Sequence, residues 1–108
     1  MTLDELFRKA NEKAEGFGPG QPAPNARILI NIEGPDSRQW LAAFEDGKGR
    51  LAEYAGEAPD ATVTVSGDTL LAVAARKMNA TMAFLTGKIK VDGDAELLRA
   101  LGKLWPNN

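Results

Sequence analysis

Few side chains in this sequence could carry out acid–base chemistry. There is one tyrosine, Tyr54, together with fifteen carboxylates and thirteen basic residues, but there is no histidine and no cysteine. Catalytic triads, histidine-based metal sites and disulfides are therefore excluded. Tyr54 with Glu53 or Asp92 could transfer protons on an apolar substrate. Glu53 and Tyr54 are adjacent and face opposite sides of a strand, and no other carboxylate lies in an obviously apolar setting, so we predict no catalytic residues and a protein that is not an enzyme. No metal site or cofactor is predicted either.

Length and charge narrow the class of protein. A chain of 108 residues is expected to form one domain, residues 1–108, around a single core. The net charge of -2 makes nucleic acid an unfavourable partner. No apolar run is long enough to span a bilayer or to form a signal-peptide core. We expect a soluble, cytoplasmic protein without stable membrane insertion; transient membrane contact and the oligomeric state stay open.

The first predicted element is a helix from Leu3 to about Ala14. Thr2 can cap it, and Glu5 stands at the third position of a capping box. Its polar face carries both charges, so the apolar side is expected to dock on a core rather than on a membrane. Glycines and prolines in residues 16–24 then predict a connector.

Alternating apolar residues predict five strands. They lie at about residues 27–33, 39–46, 50–55, 61–66 and 88–92. Asp46-Gly47 is typical of a tight hairpin turn, and the short connections predict an antiparallel meander through the first four strands. One face of the sheet is expected to be left to solvent.

Three further helices are predicted around the last strand. The first follows Gly67-Asp68, the second is capped by Asn79 and ended by Gly87, and the third starts at Asp94 and ends before Pro106. The order of elements indicates an α+β domain, with a five-stranded, mostly antiparallel sheet and helices packed on one face.

Large, flexible apolar residues are concentrated in these later helices. Methionine adapts to irregular neighbours, so such a set would suit a cavity with variable contents. On pattern alone, a packed core is favoured over a lipid pocket, because interiors are close-packed and large cavities reduce stability. Phe84 lies about 100° from Leu85 around its short helix, which is therefore apolar on more than one side.

Four segments, read in order, resemble the sterol carrier protein 2 (SCP-2) lipid-binding family. They are the Trp40 strand leading into Asp46-Gly47-Lys48-Gly49, the strand Asp60-Ala-Thr-Val-Thr-Val-Ser66, the helix Asp68-Thr-Leu-Leu-Ala-Val with Lys77-Met78-Asn79, and Ala83-Phe-Leu-Thr-Gly-Lys-Ile-Lys-Val-Asp-Gly93. The resemblance implies an apolar tunnel between sheet and helices. It also implies non-enzymatic binding or carriage of fatty acids, acyl-CoA, phospholipid or sterol-like molecules.

The sequence departs from the family pattern at three places. Arg76 and Ala80 stand where the family often has glycine and proline, which is expected either to stiffen or to re-aim the junction between two helices. The chain ends Trp-Pro-Asn-Asn, without the Ala-Lys-Leu type of peroxisomal signal, so a peroxisomal location is not expected.

The hypothesis is a carrier with a lipid or fatty acyl ligand in a cavity between the sheet and the later helices. The predicted lining residues are Trp40, Phe44, Val65, Leu71, Met78, Met82, Phe84, Leu85, Ile89, Leu97, Leu101, Leu104 and Trp105. Arg76, Lys77, Lys88 and Lys103 could form a basic rim for a carboxylate or CoA head. The alternative is a protein–protein interaction or dimerisation module with the same fold and no bound lipid.

Overall fold

A computed structural model describes residues 2–15, 25–35, 37–45 and 48–93, apart from the side chains of residues 13–15. The elements are α1 (Leu3–Glu15), β1 (Ala26–Glu33), β2 (Arg38–Glu45), β3 (Lys48–Glu53), β4 (Ala61–Ser66), α2 (Gly67–Ala74), α3 (Ala80–Leu85) and β5 (Ile89–Gly93). These agree with the predicted elements to within a few residues. The connector at residues 16–24, the Asp46-Gly47 turn and the helix from Asp94 lie outside the described residues.

The five strands form one sheet in the order β3-β2-β1-β4-β5. Three of the four pairings are antiparallel, and β1 pairs with β4 in parallel. The predicted α+β class and mostly antiparallel sheet are thus confirmed. The predicted meander is wrong at its last step, because β4 lies beside β1 at the centre of the sheet rather than beside β3.

A seven-residue connection, residues 54–60, carries the chain from β3 past β2 and β1 to β4. Its far end is fixed to β1, where the Arg27 N–H donates to the Asp60 carboxylate at 2.8 Å. The Asp60 N–H donates back to the Arg27 carbonyl at 2.7 Å. These two bonds place Ala61 opposite Ile28 and so begin the parallel pairing.

The core lies on one face of the sheet, which we call the inner face. Alternate residues of β1, β2 and β4 point to it, as the period of two requires. Its buried residues are Ala26, Ile28, Ile30, Ile32, Trp40, Ala42, Phe44, Leu51, Ala61, Val63 and Val65. The helix α1 supplies Leu3, Leu6 and Ala10 to the same core.

The opposite, outer face is not wholly left to solvent, contrary to expectation. Leu41 alternates with the inner residues Trp40 and Ala42, yet it is 0% exposed. The connection between β3 and β4 crosses this side of the sheet. Within that connection, hydrogen bonds from the N–H groups of Glu57 and Ala55 lower the pKa of the Glu57 carboxyl. Electrostatic attraction from Arg50 and Arg27, which lie on either side of Ala43 on the outer face, lowers this pKa further. The crossing therefore brings backbone over the face on which Leu41 is buried.

The helix α1 is held by its predicted capping box and by three tertiary contacts. The Glu5 N–H donates to the Thr2 hydroxyl at 3.2 Å. The Phe7 ring meets the Trp40 ring edge-on, with centroids 5.2 Å apart. At the helix start, a hydrogen bond and the charge of Arg38 lower the pKa of Asp4. Farther along, the Asn11 side chain accepts a hydrogen bond from the edge strand β3.

Candidate functional site

The inner face divides into two parts that differ in how completely they are covered. The part formed by β3, β2 and β1 lies beneath α1, and its large side chains Trp40, Phe44 and Leu51 are all buried. The part formed by β4 and β5 lies beside α2 and α3. There Leu71, Ile89 and Val91 pack against the core while staying half-buried.

The structure brings together some of the predicted lining residues. Trp40 and Phe44 lie in the covered part, where the Trp40 ring meets the Phe7 ring edge-on, so they belong to the packed core. In the half-buried part, Val65 pairs directly with Ile89, and Leu71 packs against the same cluster. Met78, also half-buried, follows α2.

The helix α3 contains three of the predicted lining residues, Met82, Phe84 and Leu85. Of the residues predicted to form its apolar side, only Ala83 is buried. Met82, Phe84 and Leu85 are 56%, 39% and 70% exposed. Leu97, Leu101, Leu104 and Trp105 lie outside the described residues, and the apolar tunnel stays a prediction.

The junction between α2 and α3 contains an unusual backbone conformation. Arg76 has φ of 60°, and among the described residues it is the one residue other than glycine with a positive φ. Its N–H donates to the Val73 carbonyl at 3.1 Å, and the Lys77 N–H donates to the Ala72 carbonyl at 2.9 Å. This pair of bonds is a Schellman motif, whose left-handed position is usually occupied by glycine.

The end of α3 repeats the motif with the usual residue. The Gly87 N–H donates to the Phe84 carbonyl at 3.1 Å, and the Lys88 N–H donates to the Ala83 carbonyl at 2.8 Å. Gly87 has φ of 79°, which confirms its predicted role as the helix stop. The start of α3 is also as predicted, because the Asn79 side chain accepts from the Met82 N–H at 3.1 Å.

The residues considered for chemistry do not converge. Glu53 ends β3 and Asp92 lies on β5, at opposite edges of the sheet. Four strand spacings, about 19 Å, separate those edges. No cluster of three acidic residues that could hold a metal ion occurs among the described residues. Of the predicted basic rim, Arg76, Lys77 and Lys88 are exposed, whereas Lys103 lies outside the described part of the chain.

The described fold is that of an α+β domain with one buried sheet face and helices over that face. The sequence matches the SCP-2 sterol transfer family over residues 5–105. The chain therefore belongs to that family, which confirms the resemblance seen in the sequence.

Two relatives show how the chain compares with longer proteins. The chain is 32% identical to "Sterol carrier protein 2" of Gallus gallus over 104 residues, and these residues are 96% of this chain. It is 35% identical over 82 residues, 74% of this chain, to "Peroxisomal multifunctional enzyme A" of Dictyostelium discoideum. The matched region is 19% of the length of each relative. The similarity therefore concerns one part of each of these proteins.

Solved structures agree with the family assignment. The solution structure of Sterol Carrier Protein-2 from Aedes aegypti, in complex with the C16 fatty acid palmitate, superposes with a TM-score of 0.72 at 28% identity. The match covers 94% of this chain and 93% of that one. Palmitated SCP2L2 from the same organism has a TM-score of 0.81 at 24% identity, covering 96% and 94% of the two chains, and supports the fold. No helix in the described ranges is long and apolar enough to cross a membrane.

Proposed function

We propose that this chain is a single-domain, non-enzymatic lipid carrier whose ligand is a fatty acid or another molecule with a long acyl chain. The observation that carries the proposal is the similarity, at 28% identity, to a protein solved with palmitate bound. A ligand of this kind needs an apolar surface and no reacting group. The half-buried apolar side chains beside β4 and β5 offer such a surface, and the acid–base candidates lie apart.

The proposed binding region is the half-buried part of the inner face. Val65 and Ile89 form its floor, and Leu71 and Met78 are the nearest candidates on the helical side. Burying about eight methylenes would stabilise a complex by about 6 kcal/mol before the costs of association and ordering. A micromolar dissociation constant corresponds to about 8 kcal/mol, so contacts to most of an acyl chain would be required.

Native mass spectrometry of the purified protein tests occupancy directly. We expect a discrete added mass, which organic extraction resolves into fatty acids or phospholipids of the expression host. The extracted protein should bind a fluorescent fatty acid with 1:1 stoichiometry. A protein that stays at its bare mass and also fails to bind the probe would refute the proposal and favour the interaction module.

Two tryptophan substitutions on the same strand test the position of the site. Ile89→Trp should weaken probe binding at least tenfold, because the larger ring occupies volume beside Val65 on the inner face. Asp92→Trp is the matched control, since Asp92 is exposed and pairs with Thr62 on the outer face. Equal affinity of the two variants, with both folded by circular dichroism, would place the ligand elsewhere.

A further inference from the structure

The helix α3 presents its apolar residues away from the protein. Ala83 is the residue that anchors this helix, at 1% exposure. Leu85 lies about 200° from Ala83 around the helix axis, and Met82 and Phe84 lie about 100° to either side. The three large side chains therefore cover the half of α3 that is directed outward. We call Met82, Phe84 and Leu85 the α3 patch.

The surroundings of the α3 patch are basic. Between Asp68 and Asp92 the chain contains four basic residues and no acidic residue. The other 85 residues have nine basic and fifteen acidic side chains, a net charge of -6. Lys77 precedes the cap of α3, and Lys88 is bonded through its N–H to the helix end. Positive charge is thus concentrated at both ends of the patch, in a protein that is otherwise acidic.

Arg76 adds an independent observation to this pattern. It is exposed and occupies a left-handed backbone position at which glycine would avoid a steric cost. Backbone strain retained at such a position indicates that the side chain is useful there. A guanidinium at the junction of α2 and α3 extends the basic region on the side where α3 begins.

We propose that the α3 patch docks on the surface of a membrane containing anionic lipids. An exposed apolar helix side flanked by basic residues is the combination that binds at a bilayer interface, with the apolar side chains at the acyl boundary and the cations near the phosphates. The acidic remainder of the protein is repelled by such a surface, which orients the patch toward it. The proposal concerns this surface alone and does not depend on a lipid cargo.

A second copy of the chain is a less suitable occupant. Two patches facing each other would oppose two basic regions, and like charges across an interface are unfavourable. An anionic bilayer offers both an apolar layer for Leu85 and negative charge for Lys77 and Lys88. Charge complementarity therefore favours an anionic membrane over a second copy of the chain as the partner of the α3 patch.

The test is co-sedimentation of the full chain with sucrose-loaded phosphatidylcholine vesicles. One set of vesicles is neutral, and the other contains about 30 mol per cent phosphatidylserine, which makes its surface anionic. Binding is expected only to the anionic vesicles and should decrease at high salt, because screening weakens the attraction. Leu85→Glu should lower the partition coefficient at least tenfold. Lys88→Glu should lower it about 25-fold, since the reversal changes two unit charges and each charge near the surface contributes about fivefold.

Lys9→Glu is the matched control for Lys88→Glu. Lys9 is an exposed lysine on α1, and the same charge reversal there should change partitioning less than twofold. A larger loss with Lys9→Glu than with Lys88→Glu would move the contact to α1 and overturn the proposal. Equal binding to neutral and anionic vesicles, or no binding, would do so as well.

Two further measurements exclude other occupants of the patch. If Leu85→Glu lowers the melting temperature by more than about 5 °C, the patch is covered by the chain itself and the proposal fails. Sedimentation velocity of the native chain should show a monomer at micromolar concentration. A dimer that Leu85→Glu dissociates would identify a second copy as the occupant and overturn membrane docking.

Discussion

Replacing Arg76 with glycine should stabilise the protein, although it removes a side chain. A residue with a Cβ atom in the left-handed conformation costs about 1–2 kcal/mol relative to glycine. Glycine also gives the unfolded chain more freedom, which offsets about 0.4–1 kcal/mol of that gain. The net increase in the free energy of unfolding is therefore about 0.5–1 kcal/mol. For a domain of this size, that raises the melting temperature by about 2–5 °C.

The opposite substitution, from glycine to a residue with a Cβ atom, can be made at the end of α3. Gly87 holds the equivalent position in the second Schellman motif, with φ of 79°, and a Cβ atom built there meets nothing within 4 Å. Gly87→Ala should therefore cost about 1 kcal/mol through backbone conformation alone. The two variants should shift the melting temperature in opposite directions.

Thermal melts followed by circular dichroism and urea titrations would measure both variants. The urea slope should stay at the native value, because neither change alters the surface exposed on unfolding. A lower melting temperature for Arg76→Gly would refute the reasoning. It would mean that the guanidinium stabilises the fold by more than its backbone conformation costs.

Two further changes test the crossing between β3 and β4. Gly93→Ala should destabilise by about 2–4 kcal/mol, since a Cβ atom there would lie 2.7 Å from the Asp60 carbonyl oxygen at φ of 107°. Glu57→Gln should be less stable than the native chain at pH 7, with a difference that decreases below about pH 4.5 and vanishes only below the lowered folded-state pKa of Glu57. The pKa of Glu57 is lowered by hydrogen bonds from its own N–H and that of Ala55, and by Arg50 and Arg27.

The sign of the pH effect follows from the lowered pKa. A carboxylate with a depressed folded-state pKa stabilises the protein above its unfolded pKa and loses that contribution as the pH falls. A stability difference that is the same at pH 7 and pH 4 would contradict the assignment to charge. For the glycine change, Gly56→Ala is the control, because φ is 103° but no atom lies within 4 Å. Equal losses in both variants would exclude the contact with Asp60 as the cause.

Local features of the fold could be predicted from the sequence because they depend on neighbouring residues. The caps by Thr2 and Asn79, the stop at Gly87 and the buried rows of β1, β2 and β4 each follow from short-range spacing. The pairing of β4 with β1 could not be predicted in this way. It depends on where residues 54–60 cross the sheet, and the bonds between Arg27 and Asp60 join positions 33 apart.

The candidate site also has some features that could be predicted from the sequence and others that could not. Ile89 and Val65 were assigned to the inner face by their alternation, and the register places them side by side. The exposure of Met82 and Leu85 could not be predicted from their types, since an apolar residue on a short helix suits both a core and an outward surface. The signal available in the sequence is the presence of four basic residues, without an acidic one, between Asp68 and Asp92, because charged side chains lie at surfaces.

The hydrogen bond between α1 and β3 has a consequence for the resistance of this protein to aggregation. Leu51 lies on the edge strand β3, where its N–H points away from the sheet and donates to the Asn11 side chain at 3.2 Å. An unpaired donor on an edge strand is a point at which another chain can add a strand and begin an aggregate. The helix α1 therefore protects the edge strand β3 from strand addition, in addition to covering the core. Cleavage that releases α1 would expose this edge strand, and the shortened protein should assemble into β-rich aggregates.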